Sequence, residues 1–566
     1  MYLNIDGNTV LAQPGQTLLE LVVQLGLQGS SMCDAPLAAK IAGEVFTLNY
    51  IPVRSKDVSA QQPVVRRAMA ESGGEIRLLR YRDPLGKECY LRTAQFVMFL
   101  AIEQLWPHAR AKINCTLGDS VYVKMTDAEG FSVFALKERM RQLVQENIPL
   151  IRRRVPLQTA IDRYTAEGKT DKANLLRWRT WQHFDEYTHG DFADYYYGEM
   201  LPSTAYVKVW DIFEADGGFV FVYPDDNDPK QCAQVPSMPN FFSVFHEGER
   251  WCSLMECETV ADLNELTASG RIRELIRVNE ALHEKRYSQI ADMICCRGSR
   301  AVMLAGPSSS GKTTSANRLA TQLRVHGKKP ILMSLDDYYI NREEIPVGPD
   351  GKRDLEHINT IDSALFRRDM QKLLSGEEVE LPVFNFKTGC REWHGHRLKL
   401  HKESVIIVEG LHALNPAMLP EIVDPAMIFR MYISPLIPLN LDDHNRIPTS
   451  YLRLLRRTVR DYETRNSSVQ KTLSMWDSVR AGEKRWIFPY QENADVIFNS
   501  STLYELAVLK KHIFPLLTAV EPEDPCYEEV QGMVKILNYV QEADVDDEIP
   551  PTSLVREFIG GNSFYR

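Results

Sequence analysis

Residues 306–313 read Gly306-Pro307-Ser308-Ser309-Ser310-Gly311-Lys312-Thr313, which fits an eight-position phosphate-binding loop without a gap. The run before it, 300–305 (RAVMLA), is short, apolar and β-prone, and 312–325 predicts a helix that stops near Gly327. In a strand–turn–helix setting, the turn's backbone N–H groups and the helix N-terminus surround phosphate oxygens. Lys312 reaches the terminal phosphates and the Thr313 hydroxyl is placed for Mg²⁺. The expected ATP contacts are Gly306, Ser308, Ser309, Ser310, Gly311, Lys312, Thr313 and Thr314. The bland alternative, a flexible loop ahead of an ordinary helix, does not account for the flanks.

Outward from the loop, short apolar runs alternate with helices: PILMSL (330–335), EEVELPVFNF (377–386), ESVIIVEG (403–410), AMIFRMYI (426–433) and ADVIFN (494–499). This pattern predicts an α/β domain with a parallel sheet. In such sheets the carboxyl ends of the strands face the ligand crevice. Two runs end in acids there. Asp336 follows ILM and can serve as base or metal ligand, and Glu409 ends VIIVEG and can hold Mg²⁺ directly or through water.

Residues 446–465 hold six arginines and two acids. Arg453, Arg456, Arg457 and Arg460 fall on one helix face, with Leu452, Leu455, Val459 and Tyr462 on another. Arginines crowded on one face repel one another unless anions are present, and their planar fork suits phosphate. The expectation is a mobile lid that closes on ATP. His394 and His396 sit in the polar stretch EWHGHRLKLHK; no third ligand is evident, so a surface loop is expected there, not a metal site.

In this order, the parts from about 295 to 500 resemble the uridine kinase and phosphoribulokinase family of P-loop kinases. The resemblance implies a catalytic base at Asp336, in SLDDYYI. It places a sugar-gripping carboxylate at Glu356, in DLEHINTID, and a base-recognition loop in PVFNFKTGCR with Phe384 and Phe386 as acceptor contacts. Arg457, Arg460 and Arg465, with Lys312, would neutralise the transferring phosphoryl group. Thr313, Asp336 and Glu409 would hold the metal. Where the family has Asp, Pro, Tyr, His and a last lid Arg, this chain has Glu356, Ile358, Phe384, Gly389 and Ser467. The changes at Phe384 and Gly389 remove hydrogen-bonding groups that read a pyrimidine. Uridine and cytidine are therefore expected to be poor acceptors.

Residues 1–60 resemble a TGS domain, a β-grasp module, and about 75–225 resemble the editing-type α+β domain of threonyl-tRNA synthetase. Leu91 and Gln95, then Tyr196 and Met200, fall where that domain has its HxxxH and Cys-xxx-His ligands, and none is a usual zinc ligand. Hydrolytic editing is therefore expected to be absent, leaving a scaffold that binds RNA, a small molecule or the kinase domain.

The expected domains are 1–60, 61–240, a helical connector 241–294, the kinase 295–500, and C-terminal helices and tail 501–566. Helices are expected over 17–25, 93–105, 137–146 and 157–167, and strands over 205–213 and 217–224. The 566 residues carry a net charge of −10, which argues against wholesale coating of nucleic acid. No apolar stretch approaches a membrane span, the N-terminus lacks a secretory pattern, and the ten cysteines form no CxxC. The expectation is a cytoplasmic protein with reduced thiols.

The first reading is an ATP- and Mg²⁺-dependent kinase acting on a hydroxyl of a nucleoside or related polyhydroxy acceptor. A sugar-phosphate kinase of the phosphoribulokinase type keeps the chemistry and changes the acceptor. The rival is an RNA- or ribosome-associated regulator that uses the loop as a nucleotide switch. Base, sugar-gripping block and arginine cluster together favour the kinase.

Overall fold

The computed structural model describes residues 1–41, 43–53, 75–235, 237–347, 353–419 and 424–564. The chain divides into two compact units with interleaved segments. The first is Met1–Ser237, Asn440–Arg446 and Glu521–Tyr539; the second is Met238–Leu439, Ile447–Val520 and Val540–Arg566. The expected boundary at 60/61 lies outside the described residues.

The first unit opens on a mixed sheet ordered Asn8–Leu11, Tyr2–Ile5, Glu75–Leu79, Ala38–Ile41, Glu44–Thr47. Tyr2–Ile5 runs antiparallel to Asn8–Leu11 and parallel to Glu75–Leu79, so the central strand comes from beyond residue 60. The helix Leu18–Gln24 starts at Thr17, whose hydroxyl and backbone N–H exchange hydrogen bonds with Glu20 in a capping box. Its Leu18, Leu21 and Val22 pack with Ile5, Ile41 and Ile76.

The long helix of the first unit runs Pro84–Leu105 and begins nine residues ahead of the expected Thr93. Proline at the first helical position lacks only an N–H that has no intrahelical partner anyway, so it starts the helix well. Its Phe96–Ile102 stretch is wholly buried. Beside it lies an antiparallel sheet ordered Asp211–Ala215, Gly218–Val222, Ser120–Thr126, Arg110–Thr116. The strand expected over 205–213 is instead a 3₁₀ turn at Thr204–Tyr206 and a strand that begins only at Asp211. A three-stranded sheet, Phe192–Asp194, His183–His189 and Arg152–Pro156, completes this part.

Within the first unit, charge is buried. Lys172 lies 2.7 Å from Asp194 and 3.4 Å from Asp442. His444 Nδ1 is 2.6 Å from Asp194, and the Tyr195 hydroxyl donates to Asp442 at 2.6 Å. The His444 ring stacks on Phe99 at 3.5 Å. Burial alone would raise the Asp194 carboxyl; Lys172 and then His444 more than offset it and hold it below its usual range.

The second unit is built on a five-stranded sheet, all parallel, ordered Lys329–Ser334, Ser404–Glu409, Ala301–Ala305, Ile428–Ser434, Val496–Asn499. The run 377–386 is not part of it. Glu378–Asn385 pairs antiparallel with Cys390–Lys399 as a separate hairpin. An apolar run of this length carries no information about its partner, which is why the sequence misassigned it. His394 and His396 lie in the second hairpin strand, not in a loop; both are exposed, and His394 Nε2 is 3.1 Å from Glu392. The stretch expected as a connector also packs into this unit. Along Ile272–Arg297, every third or fourth residue is buried; Tyr287 stacks on Phe498 and its hydroxyl meets Ser315 Oγ at 2.8 Å.

No helix among the described residues is long and apolar enough to cross a membrane. The cysteines form no disulfide.

Candidate active site

The buried strand Ala301–Ala305 delivers the loop, and the helix Lys312–Val325 leaves it. Gly306 and Gly311 are needed for different reasons. A Cβ at Gly306 would lie 2.2 Å from the Ile433 carbonyl oxygen, so the loop passes too close to its neighbour for any side chain. Gly311 caps the helix at φ +87°, a left-handed conformation that favours glycine. Ser309 and Ser310 are buried, and their hydroxyls have no partner among the described residues. Lys312 Nζ rests 3.2 Å from the Pro307 carbonyl oxygen. Burial pushes its ammonium below the usual range, against the opposing charges of Glu409 and Asp336.

Parallel register brings the strand-end groups together. Ser334 is paired with Glu409, and Glu409 with Leu304, so both strand ends meet the loop. Thr313 Oγ1 donates to Glu409 at 3.4 Å and Ser334 Oγ at 3.5 Å. Burial, then Asp336, pushes the Glu409 carboxyl up to about 7, with Lys312 opposing. Burial also raises Asp336, with Lys312 opposing and Asp337 adding; the Tyr339 hydroxyl bonds to it. Asp337 turns away and accepts the Phe384 N–H at 3.2 Å.

Glu356 lies against Gly482, where a Cβ would come within 2.4 Å of its own. Burial pushes its carboxyl up to about 7, with Arg457 pulling it down. His357 meets Trp486 edge-on at 4.6 Å. Behind them is His412, 2% exposed. Burial pushes its imidazole down to about 4, opposed by a hydrogen bond with the Glu356 backbone; His357 and Lys312 add to the lowering. Trp486 Nε1 is buried without a partner among the described residues. Phe384 is buried against Tyr339 at 5.5 Å, whereas Phe386 stands 58% exposed near the hairpin turn.

The arginine helix is not the free lid expected. In Thr449–Arg465 the residues Leu452–Val459 are all buried. Arg453 Nη2 donates to Glu483 at 2.7 Å and Arg456 Nε to Glu505 at 2.8 Å. Arg453 also donates to the Ser308 carbonyl at 3.0 Å and Arg456 to the Ser309 carbonyl at 3.4 Å, so these two arginines brace the loop. Arg457 donates to Ser308 Oγ at 2.9 Å. Arg457, Arg460 and Arg465 share one carboxylate, Asp461, at 3.3, 2.8 and 3.6 Å. The sequence offered that counter-ion four residues from both Arg457 and Arg465. Glu483 and Glu505 come from distant segments and carried no local signal. Nor did Glu557, whose Oε2 accepts the Thr314 hydroxyl at 2.6 Å.

A phosphate loop at the carboxyl edge of a parallel sheet, flanked by strand-end carboxylates and arginines, defines a phosphoryl-transfer site. Residues 301–507 match the Phosphoribulokinase / Uridine kinase family. The uridine kinase of Ligilactobacillus salivarius (strain UCC118) is 27% identical over 195 residues, 34% of this chain and 82% of that enzyme. That of Vibrio atlanticus (strain LGP32) is 29% identical over 221 residues, 38% of this chain and 95% of that enzyme. A solved structure, "Structure of a Possible Uridine Kinase from Bacillus stearothermophilus", is 18% identical with a TM-score of 0.27, covering 38% of this chain and 97% of that one. The later part of the chain is thus similar to the kinases of this family, and that similarity indicates an ATP-dependent phosphotransferase.

Proposed function

We propose that the chain is an ATP- and Mg²⁺-dependent kinase that phosphorylates a hydroxyl of a nucleoside or related small polyhydroxy acceptor. The observation that carries this reading is the convergence of Lys312, Thr313, Asp336 and Glu409 beside the loop, at the carboxyl ends of adjacent parallel strands. Asp336 takes the acceptor proton. Glu356 engages the acceptor hydroxyls, and Phe384 flanks them. Lys312, Arg457, Arg460 and Arg465 balance the charge on the transferring group. The two carboxylates and the Thr313 hydroxyl are hard oxygen donors, which suits Mg²⁺. No group of three or more His, Cys, Asp or Glu among the described residues could cage a metal. Mg²⁺ fits this, because it is usually held by one or two carboxylates plus substrate phosphates. Bound there, it would supply charge stabilisation to the phosphates.

For the front unit, the sheet order and the capped helix Leu18–Gln24 support the TGS reading. The equivalents of the zinc ligands support an editing-like scaffold without zinc chemistry: Gln95 donates to the Tyr223 hydroxyl, Tyr196 donates to Asp194, and Met200 is fully buried. An RNA contact of these domains is the partner we assign them.

The test is ADP release across nucleosides, sugars, sugar phosphates and polyols, with Asp336→Asn beside the wild type. Loss of a general base lowers kcat by about 10²–10⁴-fold. Uridine is expected to rank low, because two unmet hydrogen bonds cost about 10²–10⁴-fold in binding. If uridine ranks first, the reading of Phe384 and Gly389 is wrong. If no acceptor raises ADP release above the level of Lys312→Ala, the kinase assignment fails.

A further inference from the structure

The C-terminal tail returns to the phosphate loop. Thr314 lies in the first turn of the loop's helix, and Glu557 Oε2 accepts both its hydroxyl, at 2.6 Å, and its backbone N–H, at 3.4 Å. Asn562 Nδ2 donates to the same hydroxyl at 3.3 Å. The tail's backbone is firmly held. Leu554, Val555 and Phe558 are fully buried, and a Cβ on Gly311 would come 2.5 Å from Leu554 Cδ2. Arg456 lies over the Phe558 ring at 4.9 Å. Ser553 Oγ and the Tyr504 hydroxyl each donate to Glu280 at 2.7 Å. Against this fixed frame the Glu557 side chain is only half-buried.

In a loop of this type, the N–H groups of the turn and the first helical turn cradle the nucleotide's inner phosphates. At Thr314 those donors already hold an anion, a carboxylate in place of a phosphate oxygen. We propose that Glu557 is a resident anion in the inner-phosphate subsite, and that a nucleotide binds only as this side chain swings off Thr314. The inference rests on the kinase reading above. The buried tail stays in place while the side chain moves, so the displaced charge remains beside the incoming phosphate. Glu557 thereby weakens binding of every ligand with a phosphate at this position. It leaves alone a nucleoside without one, which makes it a residue that sets the affinity for the phosphate donor.

The experiment is calorimetric titration of the full-length wild type, Glu557→Gln and Glu557→Ala with ADP and with adenosine. Both variants are expected to bind ADP at least about tenfold more tightly, since a like charge beside the phosphate is gone. Adenosine affinity stays the same. Asn562→Ala, which keeps the charge, gives no such gain. Equal or weaker ADP binding in both Glu557 variants overturns the proposal, and so does a gain for adenosine as large as that for ADP. If the wild type binds ADP and the variants merely match it, only the role of Glu557 falls. If no protein in the set binds ADP, the kinase reading falls with it.

Discussion

In the first unit, Lys172, Asp194, Asp442 and His444 are buried or nearly so, and they answer one another: each lies within 3.4 Å of another member of the cluster. In the second unit, Asp336, Glu409 and Glu356 are gathered near Lys312 and Arg457, yet that cluster is left unsettled. Glu409 and Glu356 are pushed up to about 7, and the Ser309 and Ser310 hydroxyls have no partner among the described residues. Burying polar groups carries the same cost in both places. One cluster recovers it within the chain, which makes it part of the framework. The other does not, and on the function proposed above nucleotide, Mg²⁺ and acceptor would complete it.

Substitutions should separate the two. Lys312→Ala is expected to lower kcat by at least about 10³-fold in an ADP-release assay, because it removes a cation from the transferring phosphate. Its denaturation midpoint should hold or rise. Lys172→Met should do the reverse. It strands two buried carboxylates and should cost about 3–5 kcal/mol in chemical denaturation, with turnover intact below the transition. If Lys172→Met abolished turnover in a folded protein, the contrast would break.

A smaller effect is expected with pH. Folded Glu356 keeps its proton to about pH 7, whereas a free glutamate loses it near 4.5. Between those values the folded chain binds more protons, so stability falls as pH rises through this window, by on the order of 1–3 kcal/mol. Glu356→Gln should flatten that slope; an unchanged slope would mean that Glu356 is settled in the ligand-free protein. The smallest effect is at His412. Replacing its buried imidazole by leucine removes the bond with the Glu356 backbone and should cost about 1 kcal/mol. A gain would mean that burying the ring costs more than that bond returns.

What the sequence disclosed follows the same division. The loop, its strand and its helix are contiguous, and the helix ends where the periodicity stops. Asp336 and Glu409 were legible because strand-end acids beside such a loop are few. The arginines were legible as a cluster but not individually. Arg453 and Arg456 have carboxylates from distant segments, so two of the four that share a face brace the loop. Separation in the chain also hid the central strand Glu75–Leu79 from a reading that closed the first module at 60, and hid Glu557 from any motif. In the hairpin, local apolarity said strand but could not say whether its neighbour was parallel or antiparallel.

The order in which this protein can be finished on the ribosome follows from its interleaved segments. The N-terminal unit is not complete when residue 237 emerges, because it still needs Asn440–Arg446 and Glu521–Tyr539. At roughly 5–20 residues per second, the wait for the last of these is roughly 15–60 s. Until residue 446 is out, Lys172 and Asp194 lack Asp442 and His444. The usual sequence of one domain maturing before the next is made is therefore closed to this chain, and its two halves must reach their final form together.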